Sequence, residues 1–159
     1  MAFKLRTSKR TDEIFRRLET SENLPCYTLV KLAIALSLRM KKPLQPTDFH
    51  TNTLGRELNR QTITGDTDTL YKCVMQMYAG EHLTDEEFFP GHVKAHIDRG
   101  AILLDQEQRY GGNFLAHLDI KTLQTIAGHS DISTTMNRYA HGREDKIIQA
   151  GGLLKDMYG

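Results

Sequence analysis

The sequence predicts a mainly α-helical fold: a small helical domain that opens with a short N-terminal strand, followed by a helical C-terminal appendage. Three observations predict it. Apolar residues recur at helical spacing through most of residues 11–108. The start, Phe3-Lys4-Leu5-Arg6-Thr7, instead alternates apolar and polar residues with the period of a half-buried strand. A glycine-rich break, Arg109-Tyr110-Gly111-Gly112-Asn113, then separates residues 1–112 from residues 113–159. With 159 residues, 39% of them hydrophobic, the chain has room for one ordinary domain and an appendage rather than two full domains.

Each element has a local cause. The strand places Phe3, Leu5 and Thr7 on one face and Lys4 and Arg6 on the other. Ser8 or Thr11 caps a first helix whose stripe is Ile14, Phe15 and Leu18, with Asp12 and Glu13 suited to its first turn. Thr20 to Asn23 form a turn, and Pro25 fits the start of a second helix running to about Met40. That helix is apolar on nearly every side, from Leu29 and Val30 to Leu36 and Leu38. A domain of this size seldom buries such a helix alone, so a dimer or tetramer is expected to cover it. Residues 43–65 read as loop, with one extended piece near Glu57–Ile63. Asp66 or Asp68 caps a third helix carrying Leu70, Tyr71, Val74, Met75, Met77 and Tyr78, which Gly80 ends. Thr84-Asp85-Glu86-Glu87 is a capping box opening a last helix, kinked or divided at Pro90-Gly91 and continuing to about Gln108.

The net charge of +1 conceals an asymmetry. Residues 1–60 hold twelve Lys and Arg against six Asp and Glu, whereas residues 61–112 hold four against nine. A basic front suits a polyanion, and an acidic middle suits self-contact or a protein partner. Cys26 and Cys73 are far apart, outside any C-x-x-C, and read as buried free thiols of a reducing compartment. The first residues lack the apolar core of a signal peptide. The longest apolar run, 24–38, is broken by Lys31 and too short to span a bilayer, so no membrane association is expected. A cytoplasmic location is the expectation. His92 and His96 are four residues apart, but no third ligand accompanies them, and no metal is expected.

A basic alternating strand followed by two helices, the second strongly apolar, resembles the ribbon-helix-helix plan. In that plan two chains pair their strands into a ribbon that enters a DNA groove. Lys4 and Arg6 would project from the ribbon, while Lys9, Arg10, Arg16, Arg17 and the helix N-terminal amides would neutralise phosphates. The wider pattern resembles the DNA sulfur modification protein DndE family across residues 3–112. The matching pieces are Leu5-Arg6-Thr7-Ser8-Lys9, Leu32-Ala33-Ile34-Ala35-Leu36-Ser37-Leu38, Gly55 to Gly65, Leu70-Tyr71 and His96-Ile97-Asp98-Arg99-Gly100. The resemblance implies a small, oligomeric DNA-binding accessory of DNA phosphorothioation, with sulfur chemistry in partners: a cysteine desulfurase, a sulfurtransferase-like protein and an ATPase. The absence of a P-loop and of paired cysteines in residues 1–159 accords with a non-enzymatic role that needs no cofactor.

Residues 113–159 resemble the end of a tyrosine recombinase catalytic domain, through Gly128-His129-Ser130, Thr134-Thr135 and Tyr139. The resemblance would make His129 a phosphate contact and Tyr139 a nucleophile. The arginines and lysine that such attack needs have no counterpart upstream, where the DndE-like domain stands. The spacing from His129 to Tyr139 is also one residue longer than that family's. The expectation is a non-catalytic appendage, with DNA cleavage and rejoining through Tyr139 as the alternative.

Overall fold

A computed structural model describes residues 1–110. Strand β1 (Lys4–Arg6) leads into helix α1 (Lys9–Ser21) and helix α2 (Cys26–Arg39). A loop with one 3-10 turn (Pro46–Phe49) reaches strand β2 (Glu57–Asn59), followed at once by the single-turn helix α3 (Arg60–Ile63). Helix α4 (Asp68–Ala79), a wide turn over Glu87–His92 and the long helix α5 (Val93–Arg109) complete the domain.

The helix boundaries follow from short-range chemistry. The Ser8 hydroxyl accepts from the Thr11 amide at 3.1 Å and starts α1, which buries Thr11, Ile14, Phe15 and Leu18. Gly80, at φ 74°, ends α4 in the left-handed conformation. Thr84 and Glu87 form the reciprocal capping box, amide to carboxylate at 2.8 Å and amide to hydroxyl at 3.3 Å. The Thr84 amide, and after it the Thr84 hydroxyl, hold the Glu87 carboxyl below its usual range. Past them the chain kinks at Phe89 before α5 begins.

The strand finds its partner within its own chain. β1 pairs antiparallel with β2, Lys4 opposite Asn59, Leu5 opposite Leu58 and Arg6 opposite Glu57. A ribbon shared by two chains is therefore not what orders β1, which corrects the ribbon-helix-helix expectation. Leu5 and Thr7 turn inward as the alternation required, but Phe3 stays exposed. The extended piece anticipated over residues 57–63 stops at Asn59. The Arg60 amide bonds to the Phe3 carbonyl at 2.7 Å and the chain turns helical, because the Arg60 side chain is drawn inside.

Arg60 is an internal tie. Its guanidinium pairs with Asp68 and Asp85, each through bonds of 2.8–3.1 Å, and lies over the rings of Phe88 and Phe89. These hydrogen bonds hold both carboxyls below their usual range and raise the arginine further. Asp68 is thus spent on Arg60 and does not cap α4, as the sequence had suggested.

Helix α2 is the centre of the core. Leu29, Val30, Leu32, Ala33, Ile34, Ala35 and Leu36 are all buried in the single chain. α2 packs along its length on α5 and also meets α1 and α3. The apolar surface from which a dimer or tetramer was expected is covered inside one protomer, so this helix supplies no reason for assembly. α5 covers it closely because of Gly100: a Cβ there would stand 1.8 Å from the Ala33 carbonyl oxygen. Along the pair, Gly100 meets Ala33 while Arg99 reaches Ser37, so α2 and α5 run antiparallel. α1 runs parallel to α5, with Thr11 at Asp98 and Arg17 at Asp105. The N-terminus of α1 and the C-terminus of α2 consequently lie at the same end of the bundle. Among the described residues no helix is long and apolar enough to cross a membrane.

Gly100→Ala should force α2 and α5 apart and cost about 3 kcal/mol, the upper range for overpacking a dense core. Urea unfolding of both proteins measures it, and a loss below about 1 kcal/mol would show that the helices part without cost.

Candidate nucleic-acid interface

The six cations proposed from sequence have four different environments. Lys4 and Arg6 stand on the outer face of β1, 62% and 56% exposed, and share one carboxylate, Glu57, at 3.0 and 3.7 Å. The register makes this inevitable, since Glu57 lies directly opposite Arg6. Arg16 is exposed but bonded through Nε to both oxygens of Asp12 at 3.1 Å, one helical turn back. Arg17 points to α5, where it pairs with the nearly buried Asp105 and bonds Gln108 at 3.2 Å. Its role is to hold α1 on α5. Lys9 and Arg10 are exposed and have no ion pair among the described residues.

Those two cations occupy the first turn of α1, where the helix dipole disfavours positive charge. Three of the amides around them are already engaged. Ser8 N donates to Asp98 Oδ1 at 3.1 Å, Lys9 N to Asn52 Oδ1 at 2.9 Å, and Thr11 N to Ser8 Oγ. The expectation that this helix end offers its amides to phosphate is therefore corrected: side chains of the protein's own loop and of α5 have taken that place.

Lys41 and Lys42 directly follow α2, where cations complement the helix dipole. The antiparallel packing brings them to the same end of the bundle as Lys9 and Arg10. Both lysines are exposed, without an ion pair among the described residues. The chain leaving α2 is held in place through its carbonyls. Arg99 donates to the Lys42 carbonyl at 2.9 Å and to the Ser37 carbonyl at 2.7 Å, and the Tyr78 hydroxyl donates to Met40 and Lys42 carbonyls at 2.8 and 2.5 Å. Four uncompensated cations, two from each helix end, thus flank the loop of residues 43–56.

The loop is fixed on the bundle from beneath. Gly55 lies so close to α1 that a Cβ would stand 2.3 Å from the Ser8 carbonyl oxygen. Arg56, another residue that sequence reading passed over, bonds Asp12 and Glu19 at 3.2 and 2.5 Å. Half-buried Cys26 lies beside this arginine, and burial pushes its thiol up despite the guanidinium. Cys73 is exposed on α4, against the expectation of two buried thiols. α4 turns Tyr71 and Met75 inward instead.

His92 and His96 are both buried, their rings 6.4 Å apart. Arg99 Nε donates to Ser37 Oγ at 2.8 Å, and that hydroxyl shares a hydrogen bond with His96 Nδ1, also at 2.8 Å. Among the described residues neither His96 Nε2 nor His92 Nδ1 has a partner. Imidazole nitrogens on rings this far apart lie at the outer limit of what one zinc ion with ordinary bond lengths would bridge. Among the described residues no group of three His, Cys, Asp or Glu is placed to hold a metal ion. Burial, with smaller contributions from Arg99 and His92, pushes His96 down to about 3, and burial lowers His92 as well.

The fold and its basic end can now be set beside known proteins. The model of the DNA sulphur modification protein DndE matches residues 4–110. The chain belongs to the DndE family. A solved structure described as DndE from Escherichia coli B7A, involved in DNA phosphorothioation modification, shares the fold with a TM-score of 0.53. It is 18% identical, and the match covers 64% of this chain and 96% of that one. No curated protein matches. The family match ends at residue 110, the comparisons do not support the recombinase resemblance expected of residues 113–159, and Tyr139 and His129 lie outside the described residues.

The buried histidines should make this domain acid-sensitive. His96 titrates near 3 when folded and near its ordinary 6.5 when unfolded, so it stays neutral inside. The unfolded chain therefore takes up the proton first. The stabilisation is complete above pH 6.5 and declines as the pH falls toward 3, by up to about 1.4 kcal/mol per pH unit. His92 acts in the same direction. Denaturant midpoints between pH 7 and 4.5 should fall, and His96→Gln should flatten that slope; an unchanged slope in the variant would place the sensitivity elsewhere.

Proposed function

We propose that this chain is a DNA-binding accessory protein of DNA phosphorothioation, the replacement of a backbone oxygen by sulfur. It holds the duplex at the basic end of its helical domain, in the cytoplasm, while partner proteins of the same system carry out the sulfur chemistry. The observation that carries this reading is the meeting of Lys9, Arg10, Lys41 and Lys42 at one end of the bundle with no ion pair among the described residues. Membership of the DndE family supports the biological setting. Phosphate neutralisation by such cations releases counterions and requires neither a metal nor a cofactor.

Of the six residues first considered, Lys9 and Arg10 are retained as principal contacts. Lys4 and Arg6 add a smaller share because Glu57 offsets them, and Arg16 a smaller one still beside Asp12. Arg17 serves the fold. Assembly into a dimer or tetramer is not needed to cover α2. Cleavage through Tyr139 forms no part of this reading.

Reversing the charge of Lys9, Arg10, Lys41 and Lys42 together should abolish duplex binding measured by fluorescence anisotropy. For the natural chain, four phosphate contacts imply that affinity falls about a hundredfold between about 50 and 200 mM salt. Arg17→Ala should lower thermal stability and change affinity less than any of the four. Binding that survives in the charge-reversed protein, or that ignores salt, would refute the assignment.

A further inference from the structure

Helix α4 carries an apolar row that nothing in the described domain covers. Leu70 is 49% exposed, Met77 82%, and Cys73 lies exposed between them. The residues fall at i, i+3 and i+7, a row about 10 Å long on one side of the helix. Apolar side chains placed singly on a surface are ordinary; a row at helical spacing opposite the buried Tyr71 and Met75 is a packing face without a partner.

The charges around the row select its occupant. Asp66 precedes α4 in the turn that leads into it, and Glu81 directly follows Gly80 at its other end. Both are exposed, and neither has an ion pair among the described residues. Acidic ends repel a polyanion, so this face is not a second DNA surface. They also oppose a second copy of the chain. Antiparallel pairing of two α4 helices would set Asp66 against Glu81, and parallel pairing would set each acid against itself.

We propose that this face docks an amphipathic helix of another protein, one whose apolar stripe is flanked at both ends by lysine or arginine. Leu70 and Met77 supply the apolar anchors, and Asp66 and Glu81 fix the register by pairing with the basic flanks. The inference rests on the accessory reading only for the source of that helix, which is a component of the phosphorothioation system. The four cations and the apolar row lie on different helices, with Tyr78 of α4 bonded to the Met40 and Lys42 carbonyls between them, so one protein can hold duplex and enzyme together.

The test uses the full chain with the purified sulfurtransferase-like and ATPase components, each titrated by fluorescence anisotropy. One component should bind, and Leu70→Asp with Met77→Asp should weaken it about tenfold or more. Asp66→Lys with Glu81→Lys, which leaves the apolar row intact, should weaken the same complex and reduce its salt sensitivity. Unfolding profiles should stay as in the natural chain for the apolar pair, since Leu70 and Met77 are exposed. Failure of DNA binding alone would refute the function above and leave docking standing. Docking is overturned if neither component binds, if the variants bind as well as the natural chain, or if the natural chain self-associates and the apolar variant does not.

Discussion

The buried carboxylate of Asp98 determines where the basic end of this molecule is built. It is 4% exposed and receives four donors: Ser8 N at 3.1 Å, Thr11 Oγ1 at 2.7 Å, Thr51 Oγ1 at 2.6 Å and Lys94 Nζ at 2.6 Å. A carboxylate withdrawn from water needs such a set, because a buried charge lacking partners is strongly destabilising. The donors come from the start of α1, from the loop after α2 and from α5 itself. Satisfying one carboxylate therefore joins three segments that are remote in sequence. Asn52, next to Thr51, then takes the Lys9 amide, and the direction in which Lys9 and Arg10 leave α1 is set. Arg99, the next residue of α5, does the same for the end of α2 through the carbonyls of Ser37 and Lys42. Two successive residues of one helix thus position both cationic pairs.

Most other charges are used inside the molecule. Arg17 ties α1 to α5, Arg56 ties the strand to α1, and Arg60 ties α3 to Asp68 and Asp85. Each consumes carboxylates that would otherwise dilute the field of the free cations. Among the described residues, exposed cations without an ion pair gather where α1 begins and α2 ends, with Glu13 one turn along α1 from Lys9, and exposed acids stand at either end of α4. Such a distribution steers a polyanion toward the cations and away from the acids, over distances set by the ionic strength.

Features governed by a few neighbouring residues were legible in the sequence. The Ser8 cap, the Thr84–Glu87 box, the Gly80 terminus and the inward turn of Leu5 and Thr7 all depend on contacts within four residues. Features that depend on distant chain were not. Nothing local distinguishes Arg17, which holds α5, from Arg10, which faces water; the difference lies in Asp105, 88 residues away. The apolarity of α2 was read correctly, but not what covers it. Gly100 was the available signal, since a glycine inside an apolar helical stripe marks a close approach of backbone. Glu57 likewise showed its alternation but not its partner, and so β1 was assigned to a second chain.

Placement against local preference is what gives the exposed residues their meaning. Cations in the first turn of a helix oppose its dipole, and a large apolar side chain such as Met77 at 82% exposure gains nothing from folding. Natural sequences are locally consistent almost everywhere, and where a position departs from consistency with no gain to the fold, function is the usual reason. Arg17 and Arg60 break no such rule, because their ion pairs repay burial. Lys9, Arg10, Leu70 and Met77 have no such return within the described domain, and the two kinds fall on different helices, with Tyr78 of α4 meeting the end of α2 between them. A protein that only bound DNA would need the cations; the apolar pair requires a partner that is not DNA.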